Sequence, residues 1–111
     1  MNAWVGKILR VNLTKGATSV GELNEEFARD YIGGRGLGVK YLYDEIDHTV
    51  DPLSPGNKLI MVTGGMTGTG ALAGGRYTAV TKSPLTGAIA NSNSGGYFGA
   101  ELKYAGYDMI I

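Results

Sequence analysis

Ten glycines fall between Gly64 and Gly99, in a stretch that contains few charged residues. A glycine inside regular structure costs about 0.5–1 kcal/mol relative to alanine, and in return it gives access to positive φ and to close backbone approach. Hydroxyl and amide side chains are interspersed among these glycines, together with Arg76 and Lys82. The pattern predicts backbone N–H groups and small polar side chains arranged around an anionic, phosphate-bearing ligand.

Charge and composition exclude several classes of partner and site. Ten basic residues balance ten acidic ones, so bulk electrostatics gives no reason to expect a nucleic-acid or membrane partner, and we predict neither. With no cysteine and one histidine, His48, the chain alone cannot ligate an iron–sulfur cluster or form a histidine-based metal site. No apolar run approaches the roughly 18 residues of a membrane span, and the first residues lack a signal-peptide pattern. We therefore expect a cytoplasmic protein.

Apolar periodicity and turn signals predict an α+β fold with mainly antiparallel strands and short helices. The predicted strands are 4–13, 18–23, 58–63, 76–82, 87–90 and 107–111, and the predicted helices are 25–32, 37–46 and 97–105. The last strand stops without a turn signal, so we expect residues 1–111 to be a piece, at most one domain, of a longer polypeptide.

The segment Gly33–Gly38 reads GGRGLG and follows a predicted helix. A dinucleotide-binding GxGxxG motif must follow a strand, so a nicotinamide-binding fold is disfavoured. Two interpretations stay open: a turn between helices that is capped by glycine, or a segment that lines a ligand and offers Arg35 to a phosphate. The chain contains neither a Walker A motif nor G-x-S-x-G, which excludes a P-loop and a nucleophile elbow.

Arg76 is the first candidate for anion binding. It follows two glycines and opens a predicted strand, so its guanidinium is expected to emerge beside bare backbone. The five donors of arginine suit a phosphate or a flat heterocycle. The alternative is an ordinary surface arginine at a strand end.

The second candidate is the segment Asn91–Gly96, which precedes a predicted helix. Unpaired N–H groups at a helix N-terminus bind anions, and Asn93 or Ser94 could equally serve as a plain helix cap. Gly95 is expected to adopt positive φ and to permit close approach of a ligand.

Five segments, in order and with their spacing intact, resemble the N-terminal domain of the tungsten-dependent aldehyde:ferredoxin oxidoreductase family. They are WVGKILRVNLTKG, GGRGLG, DPLSPGNKLI, TGTGALAGGRY and TKSPLTGAIANSNSGGYFGAELKYAGYDMII, and together they cover nearly the whole chain. Gly65 and Met66 depart from the proline and leucine that are common in the family, and Leu72 stands where a proline is common. These departures soften the loop that follows the strand 58–63.

The resemblance implies a fold and a cofactor. The chain would be the first half of a pseudo-barrel of two sheets, holding a tungstopterin: a bis-pterin with tungsten or molybdenum, whose phosphates are bridged by magnesium. Arg76 would lie between the pterin and a 4Fe–4S cluster ligated by residues outside this chain. Asn93 would offer its backbone carbonyl to magnesium, and Ser94, Gly95 and Gly96 would present backbone to the pterin or its phosphates. None of these residues is implied to be catalytic.

In that family an aldehyde is oxidised to its carboxylic acid, and two electrons leave through the cluster to ferredoxin. The implied partners are therefore ferredoxin, a small aldehyde substrate and the remainder of the same polypeptide, with a homodimer as a further possibility. Two other classes stay open. One is a non-catalytic module that binds another phosphorylated ligand through Ser94–Gly96, and the other is a structural fragment whose glycines allow tight sheet packing.

Overall fold

The computed structural model describes residues 3–111, which form six strands and three helices. Their bounds are β1 (Lys7–Asn12), β2 (Ala17–Glu22), α1 (Glu25–Tyr31), α2 (Gly34–Glu45), β3 (Leu59–Thr63), β4 (Tyr77–Lys82), β5 (Ile89–Ser94), α3 (Phe98–Tyr104) and β6 (Met109–Ile110). The α+β class expected from the sequence is confirmed. Across residues 3–111 there is no helix with the length and apolar character of a membrane span.

The strands form a single sheet in the order β2-β1-β6-β3-β4-β5. All neighbouring pairs are antiparallel except β1 and β6, which run parallel. Thr63 pairs with Tyr77, and Tyr77 pairs with Ser94, so β3 and β5 finish where β4 begins. We call this row of strand termini the upper end of the sheet and the opposite side, where Lys82 pairs with Ile89, the lower end. The family resemblance implies a pseudo-barrel of two sheets, and residues 3–111 form one sheet.

Helix α2 packs across β3 and β4 and forms the centre of the core. Leu37 and Leu42 are fully buried in one cluster with Val62 and Val80 of the sheet. A Cβ on Gly38 would stand 2.8 Å from Val62 Cγ1 and 2.9 Å from Val80 Cγ2, which is closer than real Cβ atoms come. The last glycine of GGRGLG therefore lets the helix lie directly on the sheet.

Several element boundaries differ from the sequence prediction, and two of these differences bear on the site. Helix α2 begins at Gly34 and not near Leu37, so GGRGLG forms its first turn, and the interpretation of this segment as a turn between helices is wrong. Strand β5 extends to Ser94, beyond the predicted end at residue 90. Asparagine and serine are not strongly disposed to form strands, but pairing with β4 along the whole length of β5 overrides that preference.

Glu45, at the end of α2, joins three elements near the lower end of the sheet. Its carboxylate accepts hydrogen bonds from Arg10 Nη1 at 2.6 Å, Arg10 Nη2 at 3.0 Å and Lys58 Nζ at 2.8 Å. Burial raises the pKa of Glu45, but the hydrogen bonds from Arg10 and Lys58 outweigh it and hold the pKa below its ordinary value of 4.5. The ionised carboxylate therefore ties α2 to β1 and to the start of β3.

Replacing Glu45 with glutamine is expected to lower the free energy of unfolding by about 1–2 kcal/mol at neutral pH, because charge-assisted hydrogen bonds are lost. A depressed carboxyl pKa stabilises the fold above the unfolded pKa, and this contribution disappears as pH falls through the folded value. The gap between wild type and Glu45→Gln should therefore close below about pH 4. Denaturant unfolding of both proteins at several pH values, from about 7 down to about 3, measures it, and a gap independent of pH would contradict the assignment.

Candidate functional site at the upper end of the sheet

The start of α2 lies directly against the loop that follows β3. A Cβ on Gly33 would stand 3.1 Å from Gly64 Cα and 3.2 Å from Gly65 N. These are contacts of backbone with backbone, so no side-chain movement could make room for a larger residue. A side chain at this position would therefore require the two loops to move apart by a few tenths of an ångström.

The loops that flank β4 and β5 are packed in the same way. A Cβ on Gly75 would lie 3.3 Å from Gly96 O, and one on Gly99 would lie 3.2 Å from Gly75 O. The segment that enters β4 therefore rests on the segment that leaves β5. Thr78 connects this pair of loops to α2, since its Oγ1 donates to Asn93 Oδ1 at 2.7 Å and lies 3.8 Å from a Cβ built on Gly34.

Gly95 and Gly96 form a second class of glycine, with no atom of the described chain within 4 Å of a Cβ placed on either. Gly96 has φ +85°, whereas Gly95 is not among the residues with positive φ, so the expectation of positive φ at Gly95 is wrong by one residue. The segment Asn91–Phe98 is exposed throughout. Within residues 3–111, packing therefore accounts for Gly33, Gly75 and Gly99, and it leaves the backbone of Gly95 and Gly96 open.

Arg76 stands immediately before β4, as the sequence predicts, and it is exposed. Its backbone carbonyl lies 3.4 Å from a Cβ built on Gly99, and Thr67 Oγ1 donates to the same carbonyl at 3.4 Å. Among residues 3–111, no carboxylate lies within salt-bridge distance of the guanidinium. The residue therefore brings a positive charge without a carboxylate partner to the start of β4, next to Tyr77, whose strand partner Ser94 directly precedes the open glycines.

Asn93 and Ser94 are the last residues of β5, which is an edge strand of the sheet. The interpretation of these residues as helix caps is wrong, because α3 begins at Phe98 and its N-cap residue is Tyr97. The Asn93 side chain is engaged by Thr78, and the edge position leaves part of the β5 backbone without a strand partner in the described chain. The backbone at this strand end is thus available to a ligand.

Sequence reasoning allowed Gly33–Gly38 to line a ligand but missed that this segment is the N-terminus of α2. Its N-cap, Gly33, makes no side-chain hydrogen bond, and its first turn contains no acidic residue. Helix α1 differs, since Asn24 Oδ1 accepts from Phe27 N and Glu25 and Glu26 lie in the first turn. Uncapped N–H groups carry partial positive charge. Glycine is a common N-cap residue, so the sequence did contain a signal for this helix start. It went unused because the helix was predicted to begin three residues later, at residue 37.

A groove of about 500 Å³ lies elsewhere, between the end of α2 and the turn that joins β4 to β5. Its lining includes Tyr43, His48, Lys82 and Ile89 and none of the residues predicted to bind a cofactor. Lys82 Nζ donates to His48 O at 2.8 Å and Val50 O at 2.6 Å, so its ammonium group anchors a loop. The candidate site is therefore the upper end, which carries Arg76 and the open backbone of Gly95 and Gly96, and not this groove.

Comparison with known families settles the ancestry of this arrangement. Residues 8–111 match the family described as aldehyde ferredoxin oxidoreductase, N-terminal domain. This chain belongs to that family. A tungsten-containing aldehyde ferredoxin oxidoreductase of Pyrococcus abyssi is 60% identical over 111 residues, covering 100% of this chain and 18% of the relative. The chain of the present structure thus spans 18% of the length of the curated aldehyde ferredoxin oxidoreductases that it matches.

The N-terminal domain of this family also occurs in enzymes with other names. An aliphatic sulfonate oxidoreductase, WOR-like subunit, of Pyrococcus furiosus is 40% identical over 114 residues, covering 100% of this chain and 18% of the relative. A solved structure, the active site complex BamBC of benzoyl coenzyme A reductase with 1,5-dienoyl-CoA, superposes with a TM-score of 0.95 at 40% identity. That superposition covers 98% of this chain and 17% of the other. The fold is therefore shared across members with different named activities.

Proposed function

We propose that this chain is the cofactor-binding N-terminal part of an enzyme that oxidises aldehydes to carboxylic acids with a tungstopterin cofactor. The identity of 59–60% to tungsten-containing aldehyde ferredoxin oxidoreductases supports this choice over the two relatives at 40%. The cofactor is a bis-pterin that carries tungsten or molybdenum. When bound, it supplies the redox chemistry of the enzyme.

One observation carries the proposal: the Tyr77–Ser94 strand pair is flanked by Arg76, which has no carboxylate partner among residues 3–111, and by the open backbone of Gly95 and Gly96. This donor set fits a large phosphorylated heterocycle, because glycine backbone allows close approach and arginine binds phosphate in a rigid fork. Arg76 would contact the pterin on the side of the 4Fe–4S cluster, Asn93 would offer its backbone carbonyl to magnesium, and Ser94 would contribute backbone. The uncapped start of α2 adds positive potential at the same end of the sheet.

The residues of this chain bind and orient the cofactor, and the acid–base groups and cluster ligands belong to the remainder of the polypeptide. A chain without cysteine can contribute no thiolate to a 4Fe–4S cluster. Ferredoxin as electron acceptor, a small aldehyde as substrate, a homodimer and a cytoplasmic location complete the proposal as further expectations.

The test is metal and pterin analysis of the whole protein, combined with the variant Arg76→Ala. Wild type should contain tungsten or molybdenum together with pterin and should reduce ferredoxin with an aldehyde. We expect Arg76→Ala to lower cofactor content and activity by about tenfold, which corresponds to one charge-assisted contact. Its thermal unfolding should stay near that of wild type when both are compared without cofactor, because an exposed side chain is removed and any difference in cofactor content would itself shift the unfolding temperature.

Arg29→Ala is the matched control, since Arg29 is an exposed arginine on α1 whose contact is an ion pair with Glu25. It should keep its full complement of metal and pterin. Equal cofactor content in Arg76→Ala and Arg29→Ala would contradict the assignment of Arg76. Absence of both metal and pterin from wild type would instead favour a module for another phosphorylated ligand or a purely structural fragment. Metal and pterin with activity on a sulfonate or an aromatic coenzyme A thioester would favour the relatives at 40% identity.

A further inference from the structure

Lys103 and Asp108 form a buried ion pair near the upper end of the sheet. Lys103 Nζ lies 2.8 Å from Asp108 Oδ1, and the two side chains are 7% and 1% exposed. Desolvation makes such a pair costly, and apolar residues of similar volume could fill the same space with equal or better stability. The reason for an ion pair at this position must therefore lie in the hydrogen bonds that its polar atoms form.

The polar atoms of the pair hold the N-terminal segment 3–6. The Asp108 carboxylate accepts hydrogen bonds from Val5 N at 2.9 Å and Gly6 N at 2.6 Å, and Lys103 Nζ donates to Ala3 O at 3.0 Å. An apolar pair could make none of these contacts. Together the two side chains form hydrogen bonds with three backbone groups of a segment that lies 100 to 103 positions away in the sequence.

Segment 3–6 in turn touches two of the loops that build the candidate site. Trp4 Nε1 donates to Ile32 O at 2.8 Å, and Ile32 directly precedes the N-cap of α2. Ala3 Cβ lies 3.3 Å from a Cβ built on Gly65, in the loop after β3. The segment therefore bridges the two loops whose backbones meet at Gly33.

Asp108 also reaches the second of these loops directly. Its backbone carbonyl accepts from Thr63 N at 3.0 Å and from Thr63 Oγ1 at 2.7 Å. Thr63 is the last residue of β3, immediately before Gly64 and Gly65. One residue thus fixes the end of β3 with its main chain and segment 3–6 with its side chain.

We propose that Asp108 and Lys103 are positioning residues for the cofactor site, which act through segment 3–6 and Thr63 on the loops at Gly33 and Gly64–Gly65. The inference rests on the proposed function, because it holds that the contacts from the pair to these two loops serve to retain the cofactor. It predicts that loss of the pair loosens these loops and lowers cofactor content beyond what loss of stability explains.

The test uses Asp108→Asn in the whole protein, with amide hydrogen exchange and metal analysis as readouts. Asparagine presents an amide donor where the carboxylate accepted, so the contacts to Val5 and Gly6 weaken. Protection of the amides of residues 5, 6 and 63–65 should fall by about tenfold or more, as expected for loss of a charge-assisted hydrogen bond. Tungsten or molybdenum per chain should fall with it. Lys103→Met keeps the Asp108 carboxylate on Val5 and Gly6, so it should lose less amide protection and less metal than Asp108→Asn. It replaces Asp108→Asn in the test if that variant does not accumulate.

Glu45→Gln is the control, because it breaks an ion pair at the lower end of the sheet without touching the site loops. At matched losses of thermal stability, the variants of the buried pair should contain less metal than Glu45→Gln. Equal metal content, or unchanged exchange at residues 63–65, would overturn the positioning role. A wild-type protein without metal and pterin would refute the proposed function instead, and the exchange map would still decide whether the pair orders the two loops.

Discussion

Replacement of Gly96 by valine is expected to abolish loading of metal and pterin in the whole protein while the domain still folds. Gly96 has φ +85°, and no atom of the described chain lies within 4 Å of a Cβ placed there. A β-branched residue at this φ costs about 1–3 kcal/mol, and it also projects bulk into the space assigned to the cofactor. Metal and pterin per chain, measured beside a thermal unfolding curve, test the expectation.

Gly87→Val separates the two effects of this substitution. Gly87 has φ +72° and equally open surroundings, but it lies in the turn between β4 and β5 at the lower end of the sheet. It should lose a similar amount of stability and keep its full cofactor content. If both variants lose cofactor equally, backbone strain alone explains the result and Gly96 drops out of the site.

Replacement of Gly38 by valine is expected to destabilise the domain by about 3 kcal/mol or more, the upper range for overpacking of a core. The new Cβ would stand 2.8 Å from Val62 Cγ1 and 2.9 Å from Val80 Cγ2, and valine side chains have few rotamers with which to yield. Even Gly38→Ala should destabilise, although alanine gains about 1 kcal/mol of helix propensity over glycine. Denaturant unfolding of the whole protein measures both variants.

A double-mutant cycle with Val80→Ala checks that the clash is the cause. Val80→Ala alone leaves a cavity and costs stability. Combined with Gly38→Ala, the new methyl group occupies part of the space that Val80 Cγ2 vacates, so the double variant should be more stable than the sum of the single losses. Strict additivity would show that the cost at Gly38 arises elsewhere.

The sequence was sufficient for the elements with strong local signals. The apolar run of β3, the cap at Asn24 and the position of Arg76 before β4 all followed from periodicity, capping and turn chemistry. Family resemblance then identified the ancestry, which the match over residues 8–111 confirms. These features depend on residues close together in the chain.

The features that the sequence did not predict correctly depend on contacts between residues that are distant in the chain. Asn91–Ser94 resembles a loop by composition and becomes a strand because β4 pairs along its whole length. Helix α2 begins at Gly34, where its N-cap Gly33 packs against the distant Gly64–Gly65 loop. The contacts of Asp108 were likewise invisible in the sequence, since its partners Val5 and Gly6 lie about a hundred positions away. The binding assignments of Arg76, Asn93, Ser94, Gly95 and Gly96 stay predictions.

The central position of β6 has a consequence for biosynthesis. Met109 and Ile110 pair with β1 on one side and β3 on the other, so the hairpin β1–β2 and the meander β3–β4–β5 have no direct strand pairing with each other. Both local units can form early, but they must wait for the final strand before they share a sheet, and closing so long a loop is entropically costly. On the ribosome, we expect the two halves to share no sheet until residue 110 has left the exit tunnel, although the contacts of Glu45 with Arg10 and Lys58 can already join them.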